Sequence, residues 1–153
     1  MKAFYVDRPQ WRRGDAPGTV DLTADWYVCY DKFQLWIPAG YECDGASIPR
    51  FLWSVTGSPY DPLNIEAAFI HDALYLTHAF TREVADEIAF QIWMQSGLPK
   101  WKARNRWAAV RSFGYFSWKN TEKDKQDLKA MKEILVNRND VDKFTTLWFT
   151  PGK

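Results

Sequence analysis

The chain has 153 residues, of which 46% are apolar and 25% charged, and its net charge is +1. This length suits a single domain over residues 1–153, and the small net charge favours neither nucleic acid nor a membrane as a partner. No apolar run is long enough to span a membrane, and residues 1–10 lack the apolar region of a signal peptide. We therefore expect the protein to stay in the cytosol.

The first part of the chain, to about residue 40, has the composition of a β-sheet. Three segments rich in aromatic and β-branched residues are typical of short strands: residues 4–6, 26–30 and 33–37. Asp31 and Lys32 separate the last two segments and predict a tight hairpin turn. Residues 40–62 are rich in Pro, Gly and Ser, and we expect an ordered loop that returns to the sheet.

The remaining chain predicts helices, followed by a tail over residues 138–153. Apolar periodicity and terminal signals predict four helices within residues 63–137: residues 64–78, 82–96, 100–119 and 122–137. Asn64 and Thr81 are suited to cap the first two helices, and Gly97 ends the second. Since strands come first and helices later, the sequence predicts an α+β fold whose first two helices form an antiparallel pair.

Charged residues occur where these two helices should be buried. The helix over residues 64–78 is apolar almost all round, which is typical of a buried helix, yet it contains His71 and Asp72. On the next helix, Asp86 falls on the apolar side, away from the other acidic residues. Because a buried carboxylate needs a donor or a cation as partner, His71 is the candidate partner of Asp86.

This pair suggests a catalytic or metal site. An Asp that orients a His is a common way to make a general base. Asp72 points about 100° away from His71 on a helix, so it can face something that His71 does not, such as a metal ion. Asp44, in the Gly-rich loop, is a second candidate ligand, and Ca²⁺ prefers such carboxylates and loop carbonyls.

The alternative is that these residues only hold the fold together. In that interpretation Asp72 pairs with Arg50 or Arg82, and His71 and Asp86 form an inert buried pair. The residues alone leave both interpretations open.

The helix over residues 100–119 is basic and contains several Trp residues. Trp107, flanked by Arg104 and Arg111, is a candidate for contact with an anionic membrane surface or, less well supported by the net charge, with nucleic acid. The alternative is that this helix packs on the protein's own core and leaves a solvated basic rim.

Three motifs resemble a phage and prophage family known as domain of unknown function 1353. They are GYECDGASIPR at residues 40–50, AAFIHDALY at residues 67–75 and ADEIAF at residues 85–90. The resemblance implies a phage or prophage origin, and with it a location in the host cytoplasm or in the virion. It does not imply an activity.

The same helices also resemble secreted phospholipases of the A2 type and the parvoviral phospholipase domain. The shared pattern is a His-Asp-x-x-Tyr helix followed by an Asp-x-x-Phe helix. The resemblance implies that His71 activates a water, Asp72 binds Ca²⁺, Tyr75 steadies the network and Asp86 orients His71. The calcium loop would correspond to residues 41–45.

Two hypotheses about function follow. The first is a Ca²⁺-dependent hydrolase of lipid esters, with a lipid or a membrane surface as partner. The second is a non-catalytic phage protein, either a virion or tail component or a binder of a host factor, in which the His-Asp network is structural.

Overall fold

The computed structural model describes residues 3–4, 8–30, 33–37, 39–43, 54, 57–58, 60–78, 80–120 and 135–136. Its strands are β1 (Ala3–Phe4), β2 (Trp11–Arg13), β3 (Val20–Leu22), β4 (Trp26–Tyr30), β5 (Phe33–Ile37), β6 (Glu42–Cys43) and β7 (Leu135–Val136). Its helices are α1 (Ile65–Thr77), α2 (Arg82–Gln95) and α3 (Lys100–Asn120). Most strands precede the helices, and the fold is of the α+β class.

The larger sheet has four antiparallel strands in the order β1-β4-β5-β7. Strands β4 and β5 pair from Trp26↔Ile37 to Tyr30↔Phe33, as the two aromatic segments predicted. The predicted turn residues between them, 31 and 32, lie outside the described residues.

A second sheet, with the order β2-β3-β6, was not predicted from the sequence. Its strands have only two or three residues each, which is too short for a clear alternation of polar and apolar side chains. Only β3 shows the pattern, since Val20 and Leu22 are buried on either side of the partly exposed Asp21. Strand β6, at the start of the segment predicted as a loop, pairs with β3 of this second sheet and not with the predicted one.

The three described helices begin and end within one residue of the predicted limits. Thr81 caps α2 as predicted, because its hydroxyl accepts a hydrogen bond from the Val84 backbone N–H at 3.4 Å. Asn64 occupies the N-cap position of α1, but its side chain makes no capping bond. Its Oδ1 instead accepts from the buried indole N–H of Trp93 at 2.8 Å, since a buried donor needs an acceptor.

The prediction of a helix over residues 122–137 is wrong at its end. Leu135 and Val136 form β7, which pairs with Leu35 and Gln34 of β5. Two adjacent apolar residues suit a strand on the sheet edge as well as they suit one face of a helix, and the available edge of β5 decides between them. Residues 135–136 are therefore not helical, and residues 121–134 and 137–153 lie outside the described residues.

Helix α1 lies at the centre of the core. Its Phe69 contacts Trp26 of β4 and Tyr41, with ring centroids 6.5 Å and 6.3 Å apart, so this face packs on the sheets. Helix α2 packs on α1, and α3 packs mainly on α2 while also contacting α1. Because α1 is buried from several sides, polar groups on it must find partners inside the protein.

Candidate functional site

His71 of α1 and Asp86 of α2 meet inside the core. His71 Nε2 lies 2.7 Å from Asp86 Oδ1, and the two residues are 1% and 0% exposed. The two helices turn these polar residues toward each other, and the apolar periodicity had indicated this direction for Asp86. The catalytic role of this contact stays a prediction.

Tyr75 joins the same carboxylate from one turn further along α1. Its hydroxyl donates to Asp86 Oδ1 at 2.6 Å, and its ring lies 4.1 Å from the His71 ring, measured between centroids. The structure thus brings together three residues that the phospholipase resemblance had grouped: His71, Tyr75 and Asp86.

Two arginines complete the network, and the sequence analysis had assigned neither to it. Arg111 of α3 donates through Nη1 to Asp86 Oδ2 at 2.8 Å, and its Nη2 reaches Glu83 at 3.3 Å. Arg82 Nε lies 3.9 Å from Asp86 Oδ2 and donates to the Tyr75 hydroxyl at 3.2 Å. The i,i+4 spacing of Arg82 and Asp86 was a signal that could have revealed the first of these contacts.

Arg82 also ties α2 to α3. Its Nη2 donates to the backbone carbonyl of Val110 at 2.9 Å and to that of Arg111. The position of the Arg111 backbone is therefore set by the arginine that flanks Asp86.

The network keeps Asp86 ionised. Burial alone raises the pKa of this carboxyl, but the hydrogen bonds from His71 and Tyr75, the charge of His71 and the bond from Arg111 outweigh it and hold the pKa below its ordinary value. Burial and the neighbouring Asp86 raise the pKa of the Tyr75 hydroxyl, which therefore stays a donor.

The position of the proton between the two groups follows from this charge. An ionised carboxylate only accepts hydrogen bonds, so the proton between the two groups lies on His71 Nε2. In the neutral ring, Nδ1 then carries the lone pair. No hydrogen-bond partner faces Nδ1 in the part of the chain that the structure describes. The arrangement leaves a ring nitrogen that is able to accept a proton.

The predicted metal ligand Asp72 points to a different neighbour. The Tyr41 hydroxyl donates to Asp72 Oδ2 at 2.6 Å, and Asp72 does not pair with Arg82, whose contacts are with Asp86, Tyr75 and the α3 backbone. Asp44 and Arg50 lie outside the described residues. Among the described residues, no group of three or more His, Cys, Asp or Glu could hold a metal ion.

The region that holds this network matches a known family over most of its length. The family described as "Protein of unknown function (DUF1353)" matches residues 20–110, which is more than half of the chain. The chain belongs to this family. The match includes His71, Tyr75, Arg82 and Asp86, whereas Arg111 lies one residue beyond it.

Two curated relatives of this DUF1353 chain come from Sinorhizobium fredii strain NGR234. The uncharacterized protein y4jT is 33% identical over 78 residues, which cover 51% of this chain and 23% of that protein. The uncharacterized protein y4iH is 39% identical over 73 residues, which cover 48% of this chain and 30% of that protein. The matched region thus spans less than a third of either relative. No solved structure matches this chain significantly.

The DUF1353 chain does not present the three predicted surface-binding residues as one surface. Trp107 is only partly exposed and packs against the core. Arg111 turns inward to Asp86, and Arg104 alone is fully on the surface. Among the described residues, no helix is both long and apolar enough to cross a membrane.

A second buried polar cluster was also missed by the sequence analysis. Arg106 of α3 is 2% exposed, and its Nη2 donates to Asp61 Oδ2 at 2.6 Å. Its Nη1 lies 3.5 Å from Asn64 Oδ1, which also accepts from Trp93. This cluster fastens the segment before α1 to α3 and contains no group that the proposed chemistry needs.

A cavity of about 270 Å³ lies beside the start of α1, and no predicted catalytic residue lines it. Its lining residues are Arg8, Pro9, Trp11, Pro62 and Ile65. Arg8 Nε donates to Glu66 Oε1 at 2.7 Å, while no partner for Glu66 Oε2 is found among the described residues.

Proposed function

We propose that this chain is a phage or prophage ester hydrolase in which His71 is the general base and Asp86 orients it. The observation that supports this proposal is the contact of 2.7 Å between His71 Nε2 and Asp86 Oδ1 inside the core. The substrate class, lipid esters, comes from the resemblance to phospholipases of the A2 type. The phage setting comes from the resemblance to the DUF1353 family.

In the proposed reaction, His71 takes a proton from a water molecule through Nδ1 as that water attacks the ester carbonyl. Asp86 holds the proton on Nε2 and stabilises the imidazolium that forms. When the ester C–O bond breaks, Nδ1 returns its proton to the oxygen of the departing alcohol. Tyr75 and Arg111 do not meet the substrate in this scheme. They donate to the two oxygens of Asp86 at 2.6 and 2.8 Å and hold that carboxylate toward His71.

Calcium enters this proposal through Asp72. A bound Ca²⁺ would polarise the ester carbonyl and stabilise the negative charge that develops on its oxygen. The described residues by themselves do not fit such a site, because Ca²⁺ takes about six to eight oxygen ligands and Asp72 Oδ2 already accepts from Tyr41. Asp44 is the further ligand that the sequence predicts. The proton transfer by His71 does not depend on this ion.

The test is fatty-acid release from phospholipid vesicles and from soluble esters by the wild type and His71→Asn. We expect His71→Asn to lose the activity. The matched control is His78→Asn, which changes the other His in the chain, at a position with φ of 50° that Asn tolerates. Equal activity in the wild type and His71→Asn would refute the assignment, provided that thermal melts show both proteins folded.

A second candidate function is a non-catalytic virion or tail component, or a host-factor binder. The observation that favours it is burial, since His71 is 1% exposed and Asp86 is satisfied by donors from His71, Tyr75 and Arg111. In this case His71→Asn lowers stability by about 1–3 kcal/mol, the cost of unpairing a buried polar group. Absence of hydrolysis by the folded wild type, together with this loss of stability, would favour the second candidate.

A further inference from the structure

The chain contains a long stretch with positive charge only. No Asp or Glu occurs between Glu87 and Glu122, and this stretch includes all of α3. Helix α3 itself carries six Lys and Arg residues: Lys100, Lys102, Arg104, Arg106, Arg111 and Lys119. The positive charge of this helix is therefore not balanced by acids on the helix itself.

The structure shows where part of this charge points. Arg106 and Arg111 turn inward to Asp61 and Asp86. Lys100, Lys102 and Arg104 are exposed. We call the surface formed by these three cations and Trp101 the Trp101 face.

Trp101 is the most exposed large apolar side chain among the described residues, at 62%. The cations flank it on both sides, because Lys102 follows it by about 100° around the helix while Lys100 and Arg104 lie on the other side. Lys102 Nζ lies 5.4 Å from the centre of the Trp101 ring. A ring that is 62% exposed among three exposed cations is available for contact with a partner.

We propose that the Trp101 face docks on an anionic lipid bilayer. Trp is favoured at the level of lipid headgroups, because its ring is apolar and its N–H can reach polar groups. Neighbouring Lys and Arg side chains are attracted to anionic lipids, and basic faces with Trp are typical of helices that lie on membrane surfaces. Single-stranded nucleic acid fits less well, because its binding sites stack successive bases on several aromatic rings, and Trp101 is the one ring of this face.

This inference deepens the proposed function, since it names the surface on which a lipid esterase would meet its substrate. Only the link between this surface and lipid hydrolysis rests on the proposed function. Binding to the bilayer depends on the Trp101 face and not on His71, so the two proposals can fail separately.

The experiment is flotation of the full chain with vesicles of phosphatidylglycerol, compared with vesicles of phosphatidylcholine. We expect binding to the anionic vesicles. Binding should be weaker in 1 M NaCl, where the Debye screening length is roughly 3 Å. Lys102→Glu should weaken binding by about fivefold or more, from the contribution of one cation near the surface. Trp101→Ala should weaken it several-fold through loss of the inserted ring.

Each control variant makes the same kind of change at another place on the surface. Arg12→Glu reverses an exposed cation on β2, and Tyr27→Ala removes a ring that is 36% exposed on β4. Both should bind like the wild type. His71→Asn should also bind like the wild type, whether or not the wild type hydrolyses lipid.

Three results would overturn the inference: no binding to phosphatidylglycerol vesicles, binding that Trp101→Ala and Lys102→Glu leave unchanged, or an equal loss in the two control variants. Tight binding of a single-stranded oligonucleotide that both face variants abolish, without binding to vesicles, would assign the face to nucleic acid instead.

Discussion

Gly114 of α3 lies directly against Tyr75 of α1. A β-carbon at Gly114 would stand 2.7 Å from the Tyr75 hydroxyl oxygen and 3.4 Å from two atoms of its ring. That hydroxyl is not free to move aside, since it donates to Asp86 at 2.6 Å and accepts from Arg82 at 3.2 Å. The absence of a side chain at position 114 thus lets α3 approach the His71–Asp86 network.

We expect Gly114→Ala to destabilise the protein although Ala is the better helix former. The helix preference of Ala over Gly is worth about 1 kcal/mol, while overpacking against Tyr75 should cost roughly 1–3 kcal/mol. Urea denaturation measures the net effect. Ser112→Ala, at an exposed position of the same helix, serves as the control and should be neutral or slightly stabilising. A clear gain in stability from Gly114→Ala would contradict the contact.

The pKa of Asp86 predicts how stability depends on pH. The folded-state pKa is below its ordinary value, so the folded protein binds fewer protons than the unfolded chain. The stabilisation is present above the unfolded pKa of about 3.9 and is lost as the pH falls through the folded pKa. One such carboxyl contributes a slope of at most about 1.4 kcal/mol per pH unit.

Urea denaturation between pH 5.5 and 3 measures this slope in the wild type and in Asp86→Asn. We expect a shallower slope in Asp86→Asn, which is also less stable at neutral pH because it leaves Arg111 without its buried partner. Parallel slopes would mean that Asp86 does not titrate differently on folding. If the variant is too unstable to compare, NMR titration of the Asp86 carboxyl in the wild type gives the folded pKa directly.

Calcium binding at Asp72 predicts a stabilisation that depends on this carboxylate. An ion that binds only the folded state raises stability by about 2.7 kcal/mol at a hundred times its Kd. We expect millimolar Ca²⁺ to raise the Tm of the wild type and not that of Asp72→Asn. Asp15→Asn, which changes an exposed turn residue, should respond like the wild type. If no divalent ion changes the Tm, calcium has no part in the proposed reaction. The role of His71 is then tested separately by the activity of His71→Asn.

Arg106 should matter for stability and not for chemistry. Arg106→Met keeps the apolar stem but leaves Asp61, which is 28% exposed, without its cation. We expect a loss of roughly 2–3 kcal/mol, below the cost of a fully buried pair because water still reaches Asp61. Arg104→Met on the exposed side of the same helix should change stability by less than about 0.5 kcal/mol. Similar losses in the two variants would contradict the assignment of Arg106 to the core.

The sequence alone determined much of the helical part and the central hairpin. The direction of each side chain around a helix axis follows from the local periodicity of apolar residues. That periodicity was enough to place Asp86 on the apolar side of α2 and to name His71 as its partner. The aromatic segments that became β4 and β5 pair over their full length because they are adjacent in the chain and nearly equal in length. These features depend on residues that are close together in the sequence, so the pattern of amino acids is enough to predict them.

Tertiary structure alone decided the contacts between residues far apart in the chain. Arg104 and Arg111 both border the apolar stripe of α3, yet only Arg111 meets Asp86, 25 residues away in sequence, because the orientation of α3 on α2 selects it. Likewise, Leu135 and Val136 form a strand because an edge of β5 is available for pairing. The Asn64 side chain accepts a hydrogen bond from Trp93 and makes no capping bond. In each case a buried polar group or an open sheet edge needed a partner, and only the folded chain determined which residue was within reach.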